Sequence, residues 1–595
     1  MNEKNTARPY ADLNTPFTVD KNGAFAEYII QEPEKMPELA LGATIVIMDK
    51  TQDGIIWIAG QIIGLRAISP FSPERENLLY IEPELQDPTD ILDDITGPHT
   101  HQPMIIRVSL EREMKSENPK NRQFSSYPIQ RPPSARSRLF FPNIIPNDDP
   151  SPSLQEILDI RENGISLGNV GFGNTPYQSG DKFLTYKLDI DKLDNKHMFV
   201  VGESGSGKTV FLKNLAFELR KHDKSNRVIL TDVQGDIIQL LLPNVAEILT
   251  PSGWQEKVAS EPPEQVTSTL KNFQLIIPAR PGNEVSSRVS AIKKLAKNQG
   301  CIVREIGLRL QDLSHPSDVE YLFKVASEQA GMLLDDEADH LRNHPEKPSN
   351  PTLHNLKRLL NHLISQAGTS NQIANHAGVT FLKSTYTAAL RALRSLSVYF
   401  DFHQESLRNA DNPMDYFDFD GTTILYLDEL DQDERIMWEM QLVKWLYEHK
   451  KDSWNAFVFF DEAHQIIPAK PTGIGALGTF ERLRVNFERL AREGRKFGIN
   501  LILSTQNPKD LHPIVPEQCP TRVIMKINPR NAKYAFLDEN LALIANRFNH
   551  GQFWIQSPFN GTADWIRVHS WATRLPHERM TEFWDKVIKQ AREEK

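Results

Sequence analysis

The sequence predicts an α/β fold on three observations. Short apolar runs ending in small or charged residues recur from about Lys196, helical periodicity follows most of them, and one strand-to-helix junction carries a glycine-rich loop. The chain of 595 residues is long enough for roughly three or four domains with buried cores. Hydrophobic residues at 39% and charged residues at 25% exclude a disordered or fibrous class and fit a soluble globular one. No run approaches the ~18 apolar residues of a membrane span, and the start MNEKNTARPYADLN lacks the apolar core of a signal peptide, so no membrane association and a cytoplasmic location are expected. Cys301 and Cys519 are too few for a disulfide framework or an all-cysteine zinc site. With a formal charge of −10, any contact with nucleic acid has to come from a local basic surface.

Taken in order, residues 1–113 hold the runs AFAEYII, ATIVIM, GIIWIAGQII and MIIRVSL, whose alternation and turn punctuation predict the strands of a small β-barrel. Between them Glu82 to Asp94 carries six acids and no base, which reads as a solvated loop. Residues 114–160 read as a linker; its part 114–141 is rich in Pro, Ser and Asn and sets Lys115, Lys120, Arg122, Arg131, Arg136 and Arg138 against the single acid Glu117. Residues 161–280 and 411–595 carry the α/β texture, with candidate strands at HMFVV (197–201), RVILTDV (227–233), FQLII (273–277), TTILYLDEL (422–430), AFVFFDE (456–462), NLILSTQ (500–506) and RVIMKI (522–527). Most are apolar on successive residues, as strands covered on both faces are. Residues 281–410 show apolar positions near i, i+3, i+4 and i+7 and read as a helical insertion. Strand-like GQFWIQ (551–556) and DWIRVH (564–569) precede a final charged helix.

The strongest chemical signal is GESGSGKT followed by VFLKNLAFEL. Gly202, Glu203, Ser204, Gly205, Ser206, Gly207, Lys208, Thr209 and Val210 form the predicted nucleotide-binding loop and helix start. Its glycines let backbone N–H groups wrap phosphates, Lys208 reaches the β- and γ-phosphates, and the Thr209 hydroxyl ligates Mg²⁺. ATP and Mg²⁺ are therefore the expected ligands. An acid at a neighbouring strand end must help hold the metal and another group must activate water. Asp428 with Glu429, or Asp461 with Glu462, fits this need, and hydrophobicity alone does not choose. The second pair is favoured because DEAH (461–464) is followed by a helix and an apolar strand ending in Ser504, Thr505 and Gln506. Asp428 and Glu429 then read as a strand end turning into a helix cap. The helix ERLAREGRKFG and its approach hold Arg482, Arg484, Arg489, Arg492, Arg495 and Lys496; most read as a solvated helix face, and one of the arginines would serve a neighbouring subunit as an arginine finger.

GESGSGKT, RVILTDVQGD, FFDEAH, LAREGRKFGINLILSTQNP and TRVIMKI, in this order, resemble the HerA branch of the HerA/FtsK superfamily of ring-forming DNA-pumping ATPases. The resemblance implies a RecA-like P-loop ATPase core with an N-terminal small β-barrel and a helical insertion. It implies Lys208 and Thr209 as Walker A residues, Asp461 and Glu462 as Walker B, Gln506 as the sensor and Arg495 as the trans arginine finger, with Arg492 in reserve. Asp232 and Asp236 match a strand-end motif of the family without a role that the residues reveal. A DEAH-box RNA helicase is rejected, because the arginine-rich motif of a second lobe is absent; a coupling protein of conjugation resembles the core but is commonly membrane-anchored.

The leading expectation is a homo-hexamer that threads double-stranded DNA, mainly through phosphate contacts. Lys470, Arg482 and Arg484, or Arg288, Lys293, Lys294 and Lys297, are the candidate contacts. The resemblance further implies a separate effector, a nuclease or a sirtuin-like NAD-consuming enzyme, docking on the N-terminal barrel for DNA-end processing or antiphage defence. The rival is an ATP-regulated scaffold that activates its effector with little translocation.

Overall fold

A computed structural model describes residues 8–9, 17–20, 23–30, 39–51, 54–67, 104–118, 123–129, 131–134, 137–173, 175–179, 182–242, 272–278, 286–307, 328–343, 353–396, 416–448, 454–470, 476–558, 560, 565–570, 575 and 577–593. The acidic run 82–94 lies outside them, as do residues 471–475 of the glycine-rich stretch after Lys470. The chain forms two compact units, one of residues 1–193, 202–207 and 520–571, the other of 194–201, 208–519 and 572–595.

In the first unit an antiparallel sheet runs in the order Arg8–Pro9, Gly23–Ile30, Met104–Asn118, Gly54–Ala67, Thr44–Thr51, Arg138–Phe140, with Phe17–Asp20 and Gln123–Pro128 as side branches. Alternate residues Tyr28 and Ile30, Ile45 and Ile47, Ile56 and Ile58, Ile106 and Val108 share one buried cluster, as a period of two requires. The register shifts beside Gly60, where a Cβ would stand 2.4 Å from the Ser109 carbonyl oxygen, so only glycine admits the bulge. Among the described residues the pairing amounts to an eight-stranded sheet, a coarser result than the expected barrel. The basic stretch 114–141 is not a plain tether: Met104–Asn118 runs into it and Gln123–Pro128 and Arg138–Phe140 pair within the sheet. Turn-forming residues masked that pairing. A second antiparallel set, Ile165–Phe172, Ile566–His569, Gln552–Gln556 and Thr521–Ile524, belongs to the same unit. It joins the first through Gln61 Nε2 donating to the Trp565 carbonyl at 2.8 Å. By contacts, residues 520–571 cluster with the first unit, in a sheet other than the eight-stranded one.

Among the described residues the second unit holds seven parallel strands: β1 (Met198–Val201), β2 (Arg227–Asp232), β3 (Phe273–Pro278), β4 (Ile302–Ile306), β5 (Thr422–Tyr426), β6 (Ala456–Phe460) and β7 (Ile499–Thr505). Their order is β1-β7-β6-β2-β5-β3-β4. Every residue of β1, β3, β5, β6 and β7 is buried, which explains the continuous apolar runs. The helices are α1 (Lys208–His222), α2 (Ser287–Asn298), α3 (Glu328–Asn343), α4 (Leu353–Gln366), α5 (Lys383–Leu396), α6 (Gln432–Glu448), α7 (Ala476–Glu493) and α8 (Met580–Glu593). The expected helical insertion contains α2 to α5, but it also supplies β4 and the hairpin Gln372–Ala374 with Thr380–Leu382. The β-branched run CIVREI extends the sheet by one half-exposed edge strand, too short to stand out against the helical pattern around it. Among the described residues no helix is long and apolar enough to cross a membrane.

Candidate active site

The loop Gly202–Gly207 leaves β1, and α1 begins at Lys208 with Thr209 in its first turn and Val210 buried behind it. Gly205 (φ 75°) and Gly207 (φ 102°) take left-handed conformations that turn backbone N–H groups toward the concave side of such a loop. A Cβ on Gly202 would stand 2.5 Å from Ser206 Oγ and 2.8 Å from Met525 Cβ. The Glu203 N–H donates to the Lys526 carbonyl (2.8 Å), Gly551 N–H to the Ser206 carbonyl (3.0 Å), and His550 Nδ1 lies 2.9 Å from the Gly205 oxygen. Lys526, His550 and Gly551 are therefore a backing for the loop that the motif did not point to. The only local hint is the turn sequence Asn549-His550-Gly551 ahead of a strand.

Strand order separates the two acidic pairs by distance. At ~4.8 Å between neighbouring strands, β6 lies about 10 Å from β1 and β5 about 19 Å. The carboxyl end of β6 therefore lies nearer Lys208 than that of β5, and Glu462 and Asp461 both act on the Lys208 ammonium. Glu462 follows β6 in a left-handed conformation (φ 51°, ψ 44°), uncommon for a side chain with a Cβ and typical of functional turns. Its Oε1 accepts Gln506 Nε2 at 2.5 Å and Gln234 Nε2 at 3.2 Å, and its Oε2 accepts the Gln506 N–H at 3.3 Å. His464 Nδ1 lies 3.4 Å from the same Oε2 and 3.0 Å from Thr505 Oγ1. Asp461 Oδ1 accepts the Glu462 N–H at 3.0 Å. Burial, then the neighbouring Glu462 carboxylate, pushes the Asp461 carboxyl up to about 6. Burial lowers the Lys208 ammonium, and Glu462 and Asp461 oppose that shift. A hydroxyl (Thr209) and a buried carboxylate (Asp461) are hard oxygen donors of the kind Mg²⁺ takes alongside phosphate oxygens, so the donor set fits that ion.

The DVQGD segment gains a role. Asp232, after burial pushes it to about 7, accepts the N–H groups of Gly235 (2.8 Å) and Ile238 (2.7 Å), and the turn it closes carries Gln234 to Glu462. Asp236 and Asp428, both raised by burial, lie near it; Lys213 on α1 is fully buried, lowered by burial to about 8, with Asp236 and Asp232 holding it up and His577 Nδ1 at 3.3 Å. At the end of β5, Glu429 Oε1 accepts the Ser286 hydroxyl at 2.5 Å. The helix cap expected there belongs instead to Asp431, whose carboxylate accepts the Glu434 N–H at 2.9 Å while Glu434 Oε2 accepts the Asp431 N–H at 3.1 Å.

Arg495 follows α7 and is exposed; Arg492 is tied to Glu488 at 2.7 Å. The seven residues of β7 put Arg495 about 20 Å from Gln506, at the amino end of the strand. Of the basic residues on α2, Arg288 lies over the Trp584 ring (5.1 Å), Lys293 pairs with Glu305 (2.7 Å) and Lys294 donates to the Ala591 carbonyl (2.8 Å). These hold α2 to β4 and α8.

Residues 170–431 match the family described as "Helicase HerA, central domain". That range includes the loop, DVQGD and Asp428 and stops before Asp461. Similar proteins of the archaeon Methanocaldococcus jannaschii include a probable DNA double-strand break repair helicase HerA, 41% identical over 75 residues (12% of this chain, 13% of the relative). Two probable helicases from it are 31% identical over 138 residues (22% and 25%) and 22% identical over 395 residues (63% and 65%). The chain thus spans between about an eighth and two thirds of these relatives. Among solved structures, VirB4 of Thermoanaerobacter pseudethanolicus (13% identity, TM-score 0.43, 71% of this chain and 99% of that one) and the bacterial conjugative coupling protein TrwB (11%, 0.43, 71% and 93%) are similar. Residues 170–431, somewhat less than half of the chain, are thus similar to the central domain of HerA helicases.

Proposed function

We propose that this chain is a ring-forming, Mg²⁺-dependent ATPase that moves along double-stranded DNA. The observation that carries the reading is the contact of Glu462 with Gln506 at the strand ends beside Lys208, because it joins a base and a sensor of the phosphate in one hydrogen-bonded unit. The N–H groups of 202–209 bind the phosphates and Lys208 neutralises charge on the β- and γ-phosphates. Thr209 and Asp461 would hold Mg²⁺, which when bound offsets charge developing on the phosphates. Glu462 takes the proton of the attacking water, and Gln506 links that carboxylate to the γ-phosphate position. Arg495, some 20 Å from its own Gln506, suits a finger acting on the next subunit of a homo-hexamer, not on its own site.

DNA would be gripped through phosphates, and a separate effector, nuclease or NAD-consuming, would dock on the N-terminal sheet in DNA-end processing or defence. The test is the ATP hydrolysis rate with and without linear duplex DNA, with Lys208→Ala as the control. Stimulation by DNA is expected; a Lys208-dependent rate indifferent to DNA would replace the motor with the ATP-regulated scaffold.

A further inference from the structure

Gln234 has no task in that mechanism, yet it reaches the base. Glu462 is 3% exposed, and a carboxylate has about four acceptor positions, two on each oxygen. Both positions on Oε1 are filled, by Gln506 Nε2 and Gln234 Nε2, and Oε2 takes the Gln506 N–H with His464 at 3.4 Å. Because a carboxylate only accepts, both glutamine amides present their NH₂ groups to it. A base in this state has no free lone pair on Oε1, so a water proton reaches that oxygen, the one the two amides hold, only when one donor leaves. Gln506 is anchored by its main chain as well as its side chain, whereas Gln234 makes the longer amide bond and is the exposed member of the set. Its turn is fixed by the two N–H groups on Asp232, so the side chain, not the backbone, is free to swing.

We propose that Gln234 is a positioning residue that holds Glu462 at rest, and that its withdrawal opens Oε1 to the attacking water. The inference rests on Glu462 being the base. In the step it controls, the water oxygen bonds to the γ-phosphorus and its proton passes to Oε1. The bond from that phosphorus to the bridging oxygen breaks, and its electron pair leaves with ADP.

The experiment is steady-state ATP hydrolysis by the full chain carrying Gln234→Leu or Gln234→Ala, with Glu462→Gln in parallel. Without DNA, kcat should rise about five-fold in both Gln234 variants, the size of one hydrogen bond of ~1 kcal/mol, with KM for ATP unchanged to within about two-fold. The factor by which duplex DNA stimulates turnover should shrink in proportion. A merely structural role for Gln234 would lower kcat and leave the stimulation factor alone. Unchanged or reduced basal kcat in both variants, beside an inert Glu462→Gln, overturns this inference and leaves the assignment of the base standing. An active Glu462→Gln overturns both.

Discussion

The ends of β5 and β6 carry the same two letters, Asp-Glu, after equally buried apolar strands, and they do different work. At β6, Glu462 meets two glutamine amides and Asp461 shares its surroundings with Lys208. At β5, Glu429 supports Ser286, the residue that caps α2 by accepting the Val289 N–H at 3.1 Å, and the Asp428 carbonyl accepts Arg435 Nη2 from α6 at 2.6 Å. The first pair lies beside Lys208, and the second fastens two helices. Local sequence is identical in kind, and the position of each strand in the sheet assigns the role, since β5 lies twice as many strand spacings from β1 as β6 does.

The largest effect that tests this contrast is on turnover. Glu462→Gln should lower kcat by about 10²–10⁴-fold, the usual contribution of a positioned base. Glu429→Gln should leave kcat within about two-fold and act on stability alone. Steady-state hydrolysis of both variants checks it, and the reverse pattern would exchange the two strand ends.

Architecture against chemistry can also be separated by pH, at the amino ends of the same strands. His197 precedes β1 with Nε2 on the Ala491 carbonyl and Nδ1 accepting the Leu501 N–H, both at 2.9 Å, a pattern that only the neutral ring satisfies. Burial, and less so the Arg495 cation, lowers it to about 4, while the Ala491 contact opposes. The folded value lies below the unfolded one near 6.5, so the unfolded chain binds more protons between them. Stability is complete above about 6.5, declines as pH falls toward 4, and loses about 3 kcal/mol from this group in all. Urea unfolding from pH 7 to pH 4 should show that slope as the difference between the wild type and His197→Leu, since the raised Asp232 and Asp461 carboxyls act with the opposite sign in both.

The seven strands expected from the core's sequence are all present because each is a continuous apolar run, a signal complete within itself. The placement of Asp461 and Gln506 at strand ends is legible for the same reason, as polar residues ending such runs. Gln234 was not, since its partner is 228 residues away and nothing in DVQGD names it. His550 behind the loop and the edge strand β4 share that character: one acts only through a distant backbone oxygen, and the other becomes a strand only because β3 offers it an edge. The strands inside 114–141 escaped because their Pro, Ser and Asn residues carry turn signals that pairing with Met104–Asn118 and Thr44–Thr51 overrides.

One residue touches both strand ends. Gly235 sits at φ 78° between Gln234, which reaches Glu462, and Asp428, whose Oδ2 would stand 3.0 Å from an added Cβ; Met580 Cε would be at 2.9 Å. Met580 can yield, but the left-handed backbone and the carboxylate cannot easily do so. Gly235→Ala should cost about 2 kcal/mol. It should lower the unfolding midpoint in urea and also change kcat, because the turn that aims Gln234 is the part that is strained. A stability loss without any change in kcat would detach the DVQGD turn from the base.

The smallest effect isolates the structural end from the chemical one. Asp431 caps α6 reciprocally with Glu434, so Asp431→Ala should cost about 1 kcal/mol, as for other N-cap removals. α6 begins one residue later and carries Arg435, whose guanidinium binds the carbonyls of Leu427, Asp428 and Leu430. Fraying the first turn would therefore loosen the β5 end specifically. If that end only fastens helices, kcat for ATP stays at the wild-type value while hydrogen exchange in the first turn of α6 accelerates. A parallel fall in kcat would mean that the two Asp-Glu ends are coupled through the sheet, and that the division of labour between them is incomplete.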